Sequence, residues 1–172
     1  GIEEKPRVAE RMGRLKPPAG AALAAVLDQL QPDEVPLAIE AIAKIKDPAS
    51  FPVLIRHLEA SDPSLRAQAA YALGQMTPPE ALAALQARIG DTDALARAAV
   101  VSALQQYGLR ETFGDLQPLL TDPDREVRTR VLSALADLAR RHQLEGDLAS
   151  VLASRLRSVE NDARVDLLLA LG

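Results

Sequence analysis

The amino-acid sequence predicts an all-α fold, a right-handed α-solenoid (superhelix) of about five two-helix units. Three observations carry this prediction. Hydrophobic positions recur at a fixed step of 31: Leu54, Leu85 and Leu116; Leu58, Ile89 and Leu120; Leu73, Leu104 and Leu135. A charged position keeps the same step, at Arg66, Arg97 and Arg128. The 48% apolar content is mostly alanine and leucine, with only two Phe, two Tyr and no Trp. Alanine and leucine favour helices, and valine and isoleucine never fall into the alternating runs of strands. A period of this length marks stacked units, none of which can bury its apolar face alone.

The elements follow in order. Residues 1–17 stand outside the register, because Arg11 would occupy the position of Leu73. Val8, Met12 and Leu15 keep helical spacing there, and Lys5, Arg7, Arg11, Arg14 and Lys16 outweigh the glutamates. This stretch reads as a linker or an N-terminal capping segment. The first unit, 18–46, has Leu23 and Leu27 on its first helix and Ala38, Ala41, Ile42 and Ile45 on its second. The second unit, 47–77, opens on Asp47-Pro48, an N-cap followed by proline at the first helical position. Its first helix carries Phe51, Leu54, Ile55 and Leu58 on one stripe. Asp62-Pro63 then starts a second helix with Leu65, Ala69, Ala72, Leu73 and Met76, and Pro78 and Pro79 end it.

The third unit, 78–108, repeats the pattern with Leu82, Leu85 and Ile89, then Ala96, Val100, Ala103, Leu104 and Tyr107. The fourth, 109–142, has Phe113, Leu116 and Leu120, then Val127, Val131, Ala134, Leu135 and Leu138. Phe51 and Phe113 are equivalent and both read as core. The fifth, 143–172, needs a step of 36, which places Leu152, Leu156, Arg164 and Leu171. The extra residues fall between Arg140 and Gly146 and predict a longer helix or loop.

Charge narrows the function. Twenty basic and 24 acidic residues give a net charge of −4 with no polybasic tract, which argues against nonspecific attraction to nucleic acid. There is no cysteine, so neither disulfides nor thiolate chemistry arise. No stretch approaches the ~20 apolar residues of a membrane-spanning helix, and no signal peptide opens the sequence. The expected setting is the cytoplasm of a bacterium, as a piece of a larger protein.

The string Asp62-Pro63-Ser64-Leu65-Arg66-Ala67-Gln68-Ala69-Ala70-Tyr71-Ala72-Leu73-Gly74 resembles the HEAT repeat, and more closely the short HEAT-like repeats named after phycocyanobilin (PBS) lyases. Asp122 to Arg128, continuing to Ala134-Leu135, follows the same pattern. The third unit keeps Asp93, Arg97 and Ala103-Leu104 but loses the proline. The resemblance covers residues 18–172 and implies a structural ladder between neighbouring repeats, carried by Asp62/Arg66, Asp93/Arg97 and Asp124/Arg128. An aspartate at a helix start also satisfies free backbone N–H groups. The first unit has Gln31 and Val35 at these positions and so departs from the ladder.

Catalytic signatures are thin. His57 and His142 lie in different units and read as surface residues, without the converging ligands that a metal site needs. No HExxH, GxGxxG, P-loop or GxSxG motif occurs. The iron hydroxylases built on such repeats use His-Glu pairs, but here His57 precedes Leu58 and His142 precedes Gln143. The DNA glycosylases of the wider family use a basic face with tryptophan, which this chain lacks. The bilin lyases leave no compact motif to look for. No catalytic, metal-binding or cofactor-binding residue is therefore assigned.

In solenoids of this kind the second helices line the concave surface, and the register picks their outward ladders: Lys44, Gln75, Gln106 and Asp137; Glu40, Tyr71, Ser102 and Ser133; Leu37, Gln68, Ala99 and Arg130. Positions 68, 71 and 75 share one helix face. These ladders vary from unit to unit while the core ladders stay apolar, so they are the natural seat of specificity. Tyr71 is the one aromatic among them, and aromatics are enriched at binding hot spots. Leu169 continues the Tyr71 ladder. The expected function is a non-enzymatic protein–protein interaction scaffold. Its partner is another protein or a neighbouring domain of the same chain, bound through Glu40, Lys44, Gln68, Tyr71, Gln75, Ser102, Gln106, Arg130, Ser133 and Asp137. A subunit of a bilin lyase-like modifying enzyme is the alternative, and a nucleic-acid-binding domain the weaker one.

Overall fold

A computed structural model describes residues 19–31 and 33–158. Helices α1 (Ala19–Val26) and α2 (Val35–Ile45) form the first pair, α3 (Phe51–His57) and α4 (Pro63–Met76) the second, α5 (Leu82–Ala87) and α6 (Ala94–Tyr107) the third, and α7 (Thr112–Leu116) and α8 (Arg125–His142) the fourth. A last helix, α9 (Glu145–Ser158), follows. No strand occurs among the described residues. The first helix of each pair is short and adjoins a 3-10 turn: Leu27–Gln29 after α1, Pro48–Ser50 before α3, Pro79–Ala81 before α5, Gln117–Thr121 after α7. The second helices stack side by side, α2 on α4, α4 on α6 and α6 on α8. The chain is a helical-repeat solenoid.

Each second helix starts and stops on its own chemistry. Asp62, Asp93 and Asp124 have extended backbones and accept hydrogen bonds from N–H groups of the first turn: Ser64, Leu95 with Ala96, and Val127 respectively. Each helix ends on a left-handed residue whose N–H closes on the carbonyl four residues back. These terminators are Lys46 (φ 55°), Thr77 (φ 48°), Gly108 (φ 62°) and Gln143 (φ 58°). The first three keep the step of 31. Gln143 arrives four residues late because α8 has 18 residues where α4 and α6 have 14. Four of the five extra residues expected between Arg140 and Gly146 thus form one extra helical turn, which leaves the apolar stripe on the same face.

The core runs continuously between the two rows of helices. Leu54, Leu58, Leu73, Leu85, Leu104, Leu116, Leu120, Leu135 and Leu138 are fully buried. The extensive contact between α4 and α6 depends on Gly74: a Cβ there would sit 2.6 Å from Ala103 Cα. Gly74→Ala gains about 1 kcal/mol of helix propensity, but the overlap meets backbone that cannot move alone. We expect a net destabilisation of about 1–3 kcal/mol, read by urea unfolding; a net gain would show that the two helices part freely.

Two expectations change. Phe113 is buried, but its equivalent Phe51 is only half-buried and lies outside the core cluster. His57 is buried, not on the surface, with Nδ1 2.9 Å from the Val53 carbonyl: the short helix α3 turns its last residue inward. His142 is half-buried, with Nε2 2.8 Å from the Gly108 carbonyl. The segment 1–17 and Arg164, Leu169 and Leu171 fall outside the described residues. No helix among the described residues is long and apolar enough to cross a membrane.

Candidate functional site

The ionic residues come first, because they could be mistaken for a site. Arg66 reaches forward to the next pair and grips Asp91 with two bonds, Nε to Oδ2 at 2.8 Å and Nη2 to Oδ1 at 2.7 Å. Arg97 grips Asp122 in the same way at 2.7 and 2.8 Å. The remaining guanidinium nitrogen, Nη1, donates to the turn within the residue's own pair: Arg66 to the Ala60 carbonyl, Arg97 to Asp91, Arg128 to Asp122. Asp91 and Asp122 also accept the N–H of the capping aspartate two residues on.

A ladder between neighbouring pairs is therefore present, but its acids are Asp91 and Asp122. Asp62, Asp93 and Asp124 cap helices instead, because a carboxylate folded back on its own first turn is held away from the neighbouring arginine. In both links the guanidinium is 11% exposed and the carboxylate 3%. An unpartnered charge at such depth is costly. Between the first two pairs the corresponding positions are Val35 and Ala60, so both charges are lost together.

Hydrogen bonding to Arg66 holds the Asp91 carboxyl below its ordinary value, against the opposing effect of burial. The same bond raises Arg66, and Asp122 likewise raises Arg97. A depressed folded pKa adds stability that is complete above the unfolded value near about 4. That stability is lost as pH falls through the folded value. The stability gap between the wild type and Asp91→Asn should therefore shrink on acidification below about pH 4. Urea unfolding at a series of pH values measures it; a constant gap would mean the carboxylate is not ionically engaged. Tyr107 is also committed to structure: its hydroxyl donates to the Pro78 carbonyl at 2.7 Å, and burial, aided by Glu80, pushes its pKa up to about 12.

The second helices leave a groove of about 760 Å³ on their outer face, running across α2, α4, α6 and α8. Its floor is small and apolar, with Ala43, Ala67, Ala72, Ala94, Ala98 and Ala99. Tyr71 on α4 and Leu95 on α6 line it while 61% and 59% exposed, so that with the alanines they form an apolar patch open to solvent. Gln68 also lines it. Its Nε2 donates to Ser64 Oγ at 3.1 Å, and its Oε1 is buried without a hydrogen-bond partner.

Of the residues expected to bind a partner, Glu40, Gln68, Tyr71, Gln75, Ser102 and Arg130 line this groove, as do Leu37 and Ala99. Lys44 stands beside it with Nζ 2.6 Å from Glu40 Oε1. Gln106 and Ser133 are not in the lining, and Asp137 pairs with Arg141 at 2.8 Å. Leu95 was missed, together with Ser64 and Glu126 one step of 31 to either side. Among the described residues no group of three or more His, Cys, Asp or Glu could hold a metal ion.

A family model described as HEAT repeats matches residues 20–105, half of the chain. No curated protein sequence matches. Among solved structures, the complex of CpcE and CpcF of phycocyanin lyase from Nostoc sp. is similar at a TM-score of 0.62 and 24% identity, over 89% of this chain and 63% of that chain. This chain thus spans less than two thirds of that protein's length. A designed armadillo repeat protein in complex with the peptide (KR)4 is similar at a TM-score of 0.64 and 16% identity, over 96% of this chain and 89% of that one. An engineered protein is similar at 0.57 and 22%, over 89% and 78%. At these identities the likeness is one of fold.

Proposed function

The chain belongs to the HEAT-repeat family, and from that premise we propose that it is a non-enzymatic scaffold that binds another protein, or a neighbouring domain of a larger chain, in the groove of its second helices. The observation that carries the proposal is the exposure of Tyr71 and Leu95 over an alanine floor. Packing does not require large apolar side chains there, since other ladder positions are polar. The proposal divides the solenoid into five units, with boundaries as read from the period, and sets it in the bacterial cytoplasm. The named peptide complex of the designed armadillo repeat protein illustrates this use of the fold.

A whole-protein capture tests the proposal. The wild-type chain and a Gln68→Ala/Tyr71→Ala/Gln75→Ala variant with the same helical CD signal are used as baits in lysate of the source cell. A protein recovered by the first and lost by the second supports the groove. Recovery indifferent to the substitutions moves the site elsewhere. The likeness to CpcE and CpcF favours one second reading, a subunit of a bilin-modifying enzyme. That reading requires the absorption spectrum of an added tetrapyrrole to shift, whereas a scaffold leaves it unchanged.

A further inference from the structure

We infer that residues 4–15 close the front of the solenoid as a half-unit, a second helix without a first, laid against α2 through Val8 and Met12. The inference does not depend on what the groove binds. It starts from Ala41, which the step of 31 aligns with Ala72, Ala103 and Ala134. Ala103 shows which way this position faces: a Cβ on Gly74, in the preceding second helix, would sit 2.6 Å from its Cα. Ala41 therefore faces back along the chain, away from α4. Among the described residues no second helix precedes α2, yet Ala41 has no exposed surface. In the other row the cover is missing. Ala84 and Ala87 of α5, with Arg88 just after it, line one cleft with Pro52, Ile55 and Arg56 of α3. Their equivalents in α1 are Ala22, Ala25 and Val26, and all three are exposed. The cover over Ala41 thus lies in the row of second helices and leaves this face of α1 bare.

The residues before α1 carry the matching register. Pro17, Pro48 and Pro79 keep the step of 31. The same step counted back from Ile39 and Ala43 reaches Val8 and Met12, both apolar and on one helix face. Gly74 holds this position one unit after Ala43 and meets the following unit, so Met12 falls opposite Ala41. The positions of the core stripe are charged instead. In α2 they are Ala38, Ile42 and Ile45, all buried; one step earlier they are Arg7, Arg11 and Arg14. Guanidinium groups are not buried against an apolar helix without partners, so no first helix packs there. Arg11 breaks the register of a core but suits an outer face, and stacked repeats need a polar outer face on their terminal unit. Met12 is larger than Gly74, and the distance between packed helices follows the side chains at their contact. A helix with no first helix to hold it in line is free to stand further off.

The chain contains no cysteine, so a thiol introduced at position 41 reports its own cover. In the full chain the Ala41→Cys thiol should resist a maleimide reagent, whereas the Ala22→Cys thiol should react as an exposed one. Adding Val8→Asp and Met12→Asp should speed labelling of Ala41→Cys by about tenfold or more, since local opening then replaces unfolding as the route of access. Arg7→Gln, Arg11→Gln and Arg14→Gln together should leave the rate unchanged. Ala134→Cys, at the equivalent buried position of the fourth unit, separates loss of cover from loss of fold and should stay protected throughout. If the aspartates expose it as well, Val8→Ala with Met12→Ala takes their place, and the two thiols must then differ. Protection of Ala41→Cys that is indifferent to Val8 and Met12 overturns the inference, because another segment is then the cover. An equal loss from the three arginine substitutions overturns it too, because those side chains would then lie inside.

Discussion

Arg97→Met should destabilise the chain by about 3–5 kcal/mol, the range for breaking one half of a buried ion pair. The substitution keeps the aliphatic stem and helix propensity, so the loss isolates the charge. Asp122 would be left 3% exposed with no cation, and the Asp91 carbonyl would lose the donor that closes its turn. Adding Asp122→Asn should recover a large part of the loss. The asparagine is neutral and still offers an acceptor to the Asp124 N–H. The chain contains its own version of this double change at Val35 and Ala60. Equilibrium urea unfolding of the wild type, both single variants and the double variant closes the cycle. A loss below about 0.5 kcal/mol for Arg97→Met would show that water reaches the pair.

Leu104→Ala should cost about 2–5 kcal/mol, the range for a leucine truncated in a packed core. Gln106→Ala, two residues further along the same helix, should stay within about 0.5 kcal/mol. Leu104 has no exposed surface, and it adjoins Ala103, which meets Gly74 across the contact between α4 and α6. Little room exists there for neighbours to collapse into the space. Gln106 is exposed and outside the groove. Equal losses in denaturant unfolding would contradict the inward and outward faces assigned to α6, and with them the groove.

The period made the fold legible because packing enforces it: a core leucine has the same neighbours in each unit, so the sequence repeats it. The caps were legible for a similar reason, since Asp62, Asp93 and Asp124 each accept from free N–H groups in the first turn of their helix. The arginines of the ladder were visible, but their acids were not. Asp91 and Asp122 occur in only two units, and the turns that hold them carry no fixed motif. The signal that the sequence does carry is a paired absence, since the unit with Val35 in place of the arginine is matched by Ala60 in place of the acid. The groove was half legible. Tyr71 stands out among polar equivalents, whereas Leu95 sits next to the helix-start signal, which masks that Ser64 and Glu126 flank it in the same ladder. The burial of His57 is not legible in the sequence, because spacing alone does not tell how far a seven-residue helix rotates its end toward the core.

The uneven ladder has a consequence for the groove. Arg66 and Arg97 fasten α4, α6 and α8 into one plate, and Gly74 lets α4 and α6 press closest within it. Between α2 and α4 that ionic fastening is replaced by Val35 and Ala60. That joint lies under the groove, with Leu37 and Glu40 on one side and Gln68 and Tyr71 on the other. The groove therefore spans two kinds of seam, one fastened by charge as well as apolar packing and one without the ion pair. Acid strong enough to protonate Asp91 weakens the first and leaves the second unchanged.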